Sequence, residues 1–260
     1  GSADINHFQA CGGMGYLIKT LRNGGYLNEN VKTVMGEGLE AYTKEPRIEG
    51  DKLVWKDSPQ ESLDKEVLRS VDEAFSPTGG LKILDGNLGR SVVKISAVKE
   101  EHYVVRARAE VFSDQNEVVE AFKRKELNKD VIVVVKNQGP QANGMPELHK
   151  LTPSLSILQN QGYKVALVTD GRMSGASGKV PAAIHLTPES MNNGPIAKIQ
   201  SGDLLELNAD TGQLNCLEDG FADRTVDKQS IIGQSGVGRE LFAQIRPLIS
   251  QSELGASFII

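Results

Sequence analysis

In the first 25 residues, apolar positions take up helical spacing only after Gly12-Gly13, where Tyr16, Leu17, Ile18 and Leu21 precede a stop at Gly24-Gly25. This pattern predicts a glycine-rich turn feeding a short helix. Residues 30–43 repeat the helical pattern more weakly, and residues 44–65, charged and interrupted by Pro46 and Pro59, read as a linker or surface excursion. From about Phe75 the pattern changes to short β-rich runs alternating with turn signals, so a compact domain starts there. Its predicted strands are 81–84, 91–97, 103–112, 131–135, 165–169, 182–185, 196–199, 204–207 and 213–217. Its predicted helices are 116–125, 146–159 and 238–248, the first capped by Ser113 and Asp114. The mixture implies an α/β domain with a partly barrel-like sheet and flanking helices.

Composition narrows the function more than the fold. With 260 residues, 39% of them hydrophobic, the chain can build a sizeable core in one large domain or two small ones. No run approaches the roughly 18 apolar residues of a membrane span, and no basic-then-apolar leader suggests secretion. A net charge of -5, from 29 basic and 34 acidic residues spread along the chain, offers no footprint for nucleic acid or an anionic membrane. Cys11 and Cys216 are far apart and belong to no CxxC pair, so each reads as a small buried hydrophobe rather than part of a disulfide framework or a complete metal site. Small-molecule chemistry and a cytoplasmic address follow.

The chemistry concentrates in one βαβ unit. Val131-Ile132-Val133-Val134-Val135 is an unbroken apolar run, as expected of a parallel strand buried on both faces. It leads into a loop from Lys136 to Lys150, in which Pro146 suits the first position of a helix. A second strand, Val165-Ala166-Leu167-Val168-Thr169, runs directly into Asp170-Gly171-Arg172-Met173-Ser174-Gly175. Strands joined by a helical crossover are parallel, so both loops leave the same sheet edge, where open α/β sheets bind ligands. That edge gathers Glu147, His149, Lys150, Asp170, Arg172, Ser174 and Lys179.

Each of these residues also has a plain structural reading. Glu147, in a first helical turn, is favoured there by the helix dipole alone. Ser174 fits a turn, and His149 and His185 fit hydrogen-bonded structural roles. Arg172 and Lys179 are either solvated charges or anion contacts. The Asp85-Gly86-Asn87-Leu88-Gly89-Arg90 segment reads as a tight turn before a strand, with Asn87 and Arg90 as further ligand contacts.

These segments, with His7-Phe8-Gln9-Ala10, Thr78-Gly79-Gly80-Leu81, Gly144-Met145-Pro146-Glu147, Thr169-Asp170-Gly171-Arg172-Met173-Ser174 and Gly194-Pro195-Ile196-Ala197, resemble the dihydroxyacid and phosphogluconate dehydratase family, in the family's order and across nearly the whole chain. Residues 86–94, 143–150 and 238–242 are similar to its phosphogluconate branch. The resemblance implies loss of water from 6-phospho-D-gluconate, giving 2-dehydro-3-deoxy-6-phosphogluconate in the Entner-Doudoroff pathway. It implies a swivelling β/β/α domain over residues 77–260, with residues 1–76 the tail of an N-terminal domain plus linker. It also implies an iron-sulfur cluster as Lewis acid and a magnesium ion at the substrate's carboxylate end, with Glu147 a magnesium ligand and Ser174 the base. Arg172, Lys179 and Asn87 become substrate contacts.

One departure limits what the resemblance carries over. The family's cluster cysteines lie upstream, and Cys11 stands where relatives have a small residue, so this chain is expected to hold no cluster and to be inactive alone. It would act with the missing N-terminal domain, in a homodimer. The competing readings are a dihydroxyacid or aldonate dehydratase of the same family and a non-catalytic sugar-acid-binding domain.

Overall fold

The computed structural model describes residues 3–173, 178–226, 236 and 238–259. They divide into two compact units, Gly1–Thr78 and Gly79–Ile260.

In the first unit, α1 (Ile5–Ala10) is capped by Asp4, whose Oδ1 accepts from the backbone of Asn6 and His7. After Gly12, α2 (Gly13–Asn23) sets Tyr16 against Cys11 and Leu68 in a small core. The weak helical pattern of residues 30–43 resolves differently: β1 (Lys32–Thr33) pairs with β2 (Gly36–Glu37), and a 3-10 turn covers Glu40–Thr43. Gly36 and Gly38 at φ +115 and +76 hold backbone that a helix cannot continue through. Nor are residues 44–65 merely a linker, because β3 (Lys44–Glu49) and β4 (Lys52–Asp57) form an antiparallel hairpin. Most of its side chains face solvent, so the alternation that marks a half-buried strand is missing from the sequence. The unit is therefore less helical than its sequence implies.

The second unit is a closed eight-stranded barrel. In chain order its elements are β5 (Leu81–Gly86), β6 (Gly89–Lys94), β7 (Val104–Phe112), α3 (Gln115–Lys123), β8 (Val131–Val135), α4 (Pro140–Asn143), α5 (Leu151–Asn160), β9 (Val165–Thr169), β10 (Ala182–Thr187), β11 (Leu204–Asn208), β12 (Gln213–Cys216) and α6 (Arg239–Phe242). The strands close in the order β10-β6-β5-β12-β11-β7-β8-β9. Strands β7, β8, β9 and β10 are mutually parallel, while β6 runs antiparallel to both β5 and β10.

The unbroken valine run of β8 has a direct cause. Ile132 and Val134 enter the barrel core with Ala166 and Val168 of β9. Val131, Val133 and Val135 instead join Val165 and Leu167 beneath α3 and α5, against Val118, Leu151, Leu155 and Leu158. Both faces are buried, so period-two alternation vanishes. On β7, Val105, Ala107 and Ala109 are buried while Arg106 and Arg108 face solvent, so alternation survives there.

Three predicted elements change character. Residues 195–198 form a 3-10 turn opened by Pro195 instead of a strand, and Ile196 and Ile199 fill the barrel core. The predicted helix 146–159 begins only at Leu151, and the earlier turn α4 takes Pro140 at its start. The predicted helix 238–248 is broken into α6 and a 3-10 turn at Arg246–Leu248 that contains Pro247, which lacks the N–H a continuing helix needs. Among the described residues no helix is long and apolar enough to cross a membrane.

Candidate active site

The parallel strands bring their carboxyl ends to one rim of the barrel. Strand β6 pairs antiparallel with β10, Arg90 opposite Thr187, so the β5–β6 turn reaches the same rim. Loops 136–150, 170–181 and 188–199 all start there.

Asp170 anchors the rim from below. It is fully buried, and its Oδ1 accepts from Gln138 N at 2.8 Å while Oδ2 accepts from Ser190 N at 3.0 Å and Ser190 Oγ at 2.6 Å. Burial pushes its carboxyl above the ordinary value, against the pull of these donors. Asp170 thus stitches three loops together and is not a substrate-facing residue of the cluster. Glu189 does similar work, accepting from Gln141 N at 2.9 Å and Ala142 N at 3.3 Å. A side chain at Gly139 would run into the Glu189 carboxylate, so the first turn of α4 approaches it only because residue 139 is glycine. The sequence pattern did not single out Glu189 or Ser190. Their only signal is a turn between Thr187-Pro188 and Gly194-Pro195.

Glu147 and Arg172 meet above this anchor. Arg172 Nη1 donates to Glu147 Oε2 at 2.9 Å and Nε donates to Met145 O at 2.7 Å, while Leu148 N donates to Arg172 O at 3.2 Å. Glu147 therefore lies in a short parallel bridge with Arg172, not in a first helical turn, and the helix-dipole account of it falls. Met145, at φ +54, bends the loop away from helix. The Arg172 side chain is 51% exposed and that of Glu147 29%, so the pair adds only about 0–1 kcal/mol to stability. Its effect is orientation: it fixes a carboxylate and a guanidinium against each other at the rim.

The remaining candidates separate. Asn87 is on the rim, but its amide is taken up by backbone, Nδ2 donating to Cys216 O and Oδ1 accepting from Cys216 N, both at 2.7 Å. Lys179 is exposed, and its carbonyl accepts from Gln159 Nε2 at 3.1 Å, near the end of α5 remote from the rim. Leu151 to Gln159 spans about 12 Å of helix axis, which sets the Lys179 backbone apart from Glu147. His149 and Lys150 are exposed, Lys150 Nζ donating to Asn116 Oδ1. Ser174 lies outside the described residues.

His185 sits at an irregularity of β10, with φ +56 and its N–H on Gly171 O at 2.8 Å. Burial, and after it the charge of Arg172, push its imidazole below the ordinary 6.5. The folded state then binds fewer protons here than the unfolded chain, so the group contributes stability above the unfolded value that is lost as pH falls from there through the lowered folded one. An Arg172→Met chain is expected to show the His185 ring titrating at higher pH by NMR. An unchanged titration would exclude the Arg172 contribution.

Glu147 is a hard carboxylate, the kind of donor that magnesium takes singly or in pairs alongside water and substrate. Cys11 and Cys216 are both buried, and burial raises both thiols, which disfavours the thiolate that a cluster binds.

Comparison with known proteins bears on the same residues. Residues 66–256 match the family model described as dihydroxy-acid/6-phosphogluconate dehydratase C-terminal. The chain is 53% identical, over 98% of its length, to a phosphogluconate dehydratase of Pseudomonas aeruginosa, and 49% identical over 100% to one of Escherichia coli K12. It is 36% identical over 80% to a dihydroxy-acid dehydratase of Ignicoccus hospitalis. It spans 42% and 43% of the length of the first two relatives. With the family model covering most of the chain and such identity along nearly all of it, this chain belongs to the dihydroxy-acid/6-phosphogluconate dehydratase family.

Proposed function

We propose that this chain is the C-terminal part of a cytoplasmic, homodimeric dehydratase that converts 6-phospho-D-gluconate to 2-dehydro-3-deoxy-6-phosphogluconate. The observation that carries this reading is the gap in identity, 53% to a phosphogluconate dehydratase against 36% to a dihydroxy-acid dehydratase, the latter over a shorter stretch. The rim geometry is compatible with it. Glu147 presents a carboxylate that Arg172 holds in place, beside the loop that leads to Ser174.

In this reading Ser174 removes the proton from C2, the C3 hydroxyl leaves as water after taking up a proton, and the resulting enol becomes the 2-oxo product. The magnesium ion and iron-sulfur cluster implied by the family would supply Lewis acidity toward the carboxylate end and the departing hydroxyl. Glu147 would be one magnesium ligand, and the cluster's ligands would come from outside this chain. A serine is a weak base, and positive charge concentrated beside its hydroxyl favours the alkoxide. Arg172 orients Glu147 and contributes charge near the substrate's carboxylate.

The test compares two proteins after anaerobic reconstitution with iron, sulfide and magnesium. The full-length enzyme is expected to dehydrate 6-phosphogluconate in preference to gluconate, whereas this chain alone is expected to bind no stoichiometric iron or sulfide and to show no turnover. A preference for the unphosphorylated acid would replace the substrate assignment. Turnover by the chain alone would overturn the division of ligands.

A further inference from the structure

The rim loop that carries Glu147 also borders a cavity. It has a volume of about 560 Å³ and opens between Pro140, Asn143 and Gly144 of that loop and the C-terminal segment, with Arg239 and Arg246 in its wall and Phe242 and Phe258 beside them. No carboxylate lines it among the described residues. Arg239 Nη1 donates to Asn143 Oδ1 at 3.1 Å, and the Arg246 guanidinium makes no hydrogen bond or ion pair with any described residue. A guanidinium's planar fork matches a carboxylate or phosphate bidentately, so two of them in the wall of one cavity suit an anion.

Arg239 is also held in place. Asn143 Nδ2 donates to Gln138 Oε1 at 3.0 Å, and Gln138 N donates to buried Asp170, so the amide that receives Arg239 is tied to the barrel anchor. Residues 238–248 read as one helix in the sequence. Broken at Pro247, that segment instead brings Arg239 and Arg246 to the wall of one cavity.

We propose that this cavity takes the phosphate end of the substrate, with Arg239 and Arg246 as its paired guanidinium contacts. The inference rests on the reaction proposed above and locates its specificity. The distances agree. Asn143 borders the cavity and Met145 accepts from Arg172, and their Cα atoms are at most about 7.6 Å apart. From the carboxylate carbon to phosphorus, 6-phosphogluconate has seven bonds, as many as a little over two residues of extended polypeptide, or roughly 8 Å. The residues that receive Arg172 and Arg239 are thus two apart on one loop, a spacing of the same order as the length of the ligand.

The test uses the full-length, reconstituted enzyme with Arg246→Gln and, separately, Arg239→Gln. Each variant is expected to raise KM for 6-phosphogluconate by about 10–100-fold, and by far more than any change with gluconate, so the preference for the phosphorylated acid shrinks. Inorganic phosphate, as a competitive inhibitor, should weaken by a similar factor, and Arg246→Lys should fall between wild type and Arg246→Gln. If wild type prefers the phosphorylated acid and Arg246→Gln keeps that preference, the cavity assignment is wrong while the reaction stands. If wild type shows no such preference, the reaction assignment fails and this inference fails with it. Circular dichroism of each variant separates misfolding from loss of contact, and phosphate titration of the wild-type chain, followed by phosphorus NMR, gives a measurement independent of any variant. Absence of phosphate binding in that titration would count against the site.

Discussion

Replacing Asp170 with alanine is expected to destabilise the barrel by about 3–5 kcal/mol, because it leaves the backbone N–H of Gln138 and both donors of Ser190 buried without an acceptor. The site is fully buried, and the loss falls where three rim loops converge. The measurement is native-state hydrogen exchange at the amides of β8 and β9, which report opening of this unit without assuming that both units unfold together. A change below about 0.5 kcal/mol would mean that water or a neighbour replaces the carboxylate, and the anchor role would be lost.

The same residue predicts a pH dependence. Its folded carboxyl titrates above the ordinary value because of burial, so the folded state holds more protons than the unfolded chain across that window. Its contribution is therefore present in full below the ordinary carboxylate value and is lost as pH rises through the folded one. Asp170→Asn should flatten the decline. Glu189, raised by burial in the same direction, should leave part of it in place.

The second large effect concerns chemistry. In the full-length enzyme, Ser174→Ala is expected to lower kcat by about 10²–10⁴-fold, the usual contribution of a positioned general base, with KM little changed. Exchange of the substrate's C2 hydrogen with solvent should fall in parallel, a readout that a merely structural serine would not move. Activity within tenfold of wild type would remove Ser174 from the base role. Glu147→Gln makes a useful companion, because its amide oxygen still accepts from Arg172 while the charge is gone. Its expected signature is a higher magnesium requirement with the fold intact.

Several features were legible in the sequence because they depend on local pattern. The valine run of β8 marked a strand buried on both faces, Asp114 marked the start of α3, and the βαβ order placed Glu147 and Arg172 at one sheet edge. The hairpin of β3 and β4 was hidden because neither face is buried, and the turn at 195–198 looked like a strand because its isoleucines plug a barrel that only long-range pairing creates. Asp170 was legible as a rim residue but not as a buried anchor, since its partners Gln138 and Ser190 lie 32 and 20 residues away.

The sequence by itself determined the family, the parallel core strands and the rim that carries the candidate chemistry, because hydrophobic period and loop composition are properties of short segments. Tertiary structure decided the rest: closure of the sheet into a barrel, withdrawal of Glu147 from a helix into a bridge with Arg172, capture of Asn87 by Cys216, and convergence of Arg239 and Arg246 on one cavity. Each depends on hydrogen bonds or packing between segments distant in sequence, and a local pattern carries no record of which distant group will become a neighbour.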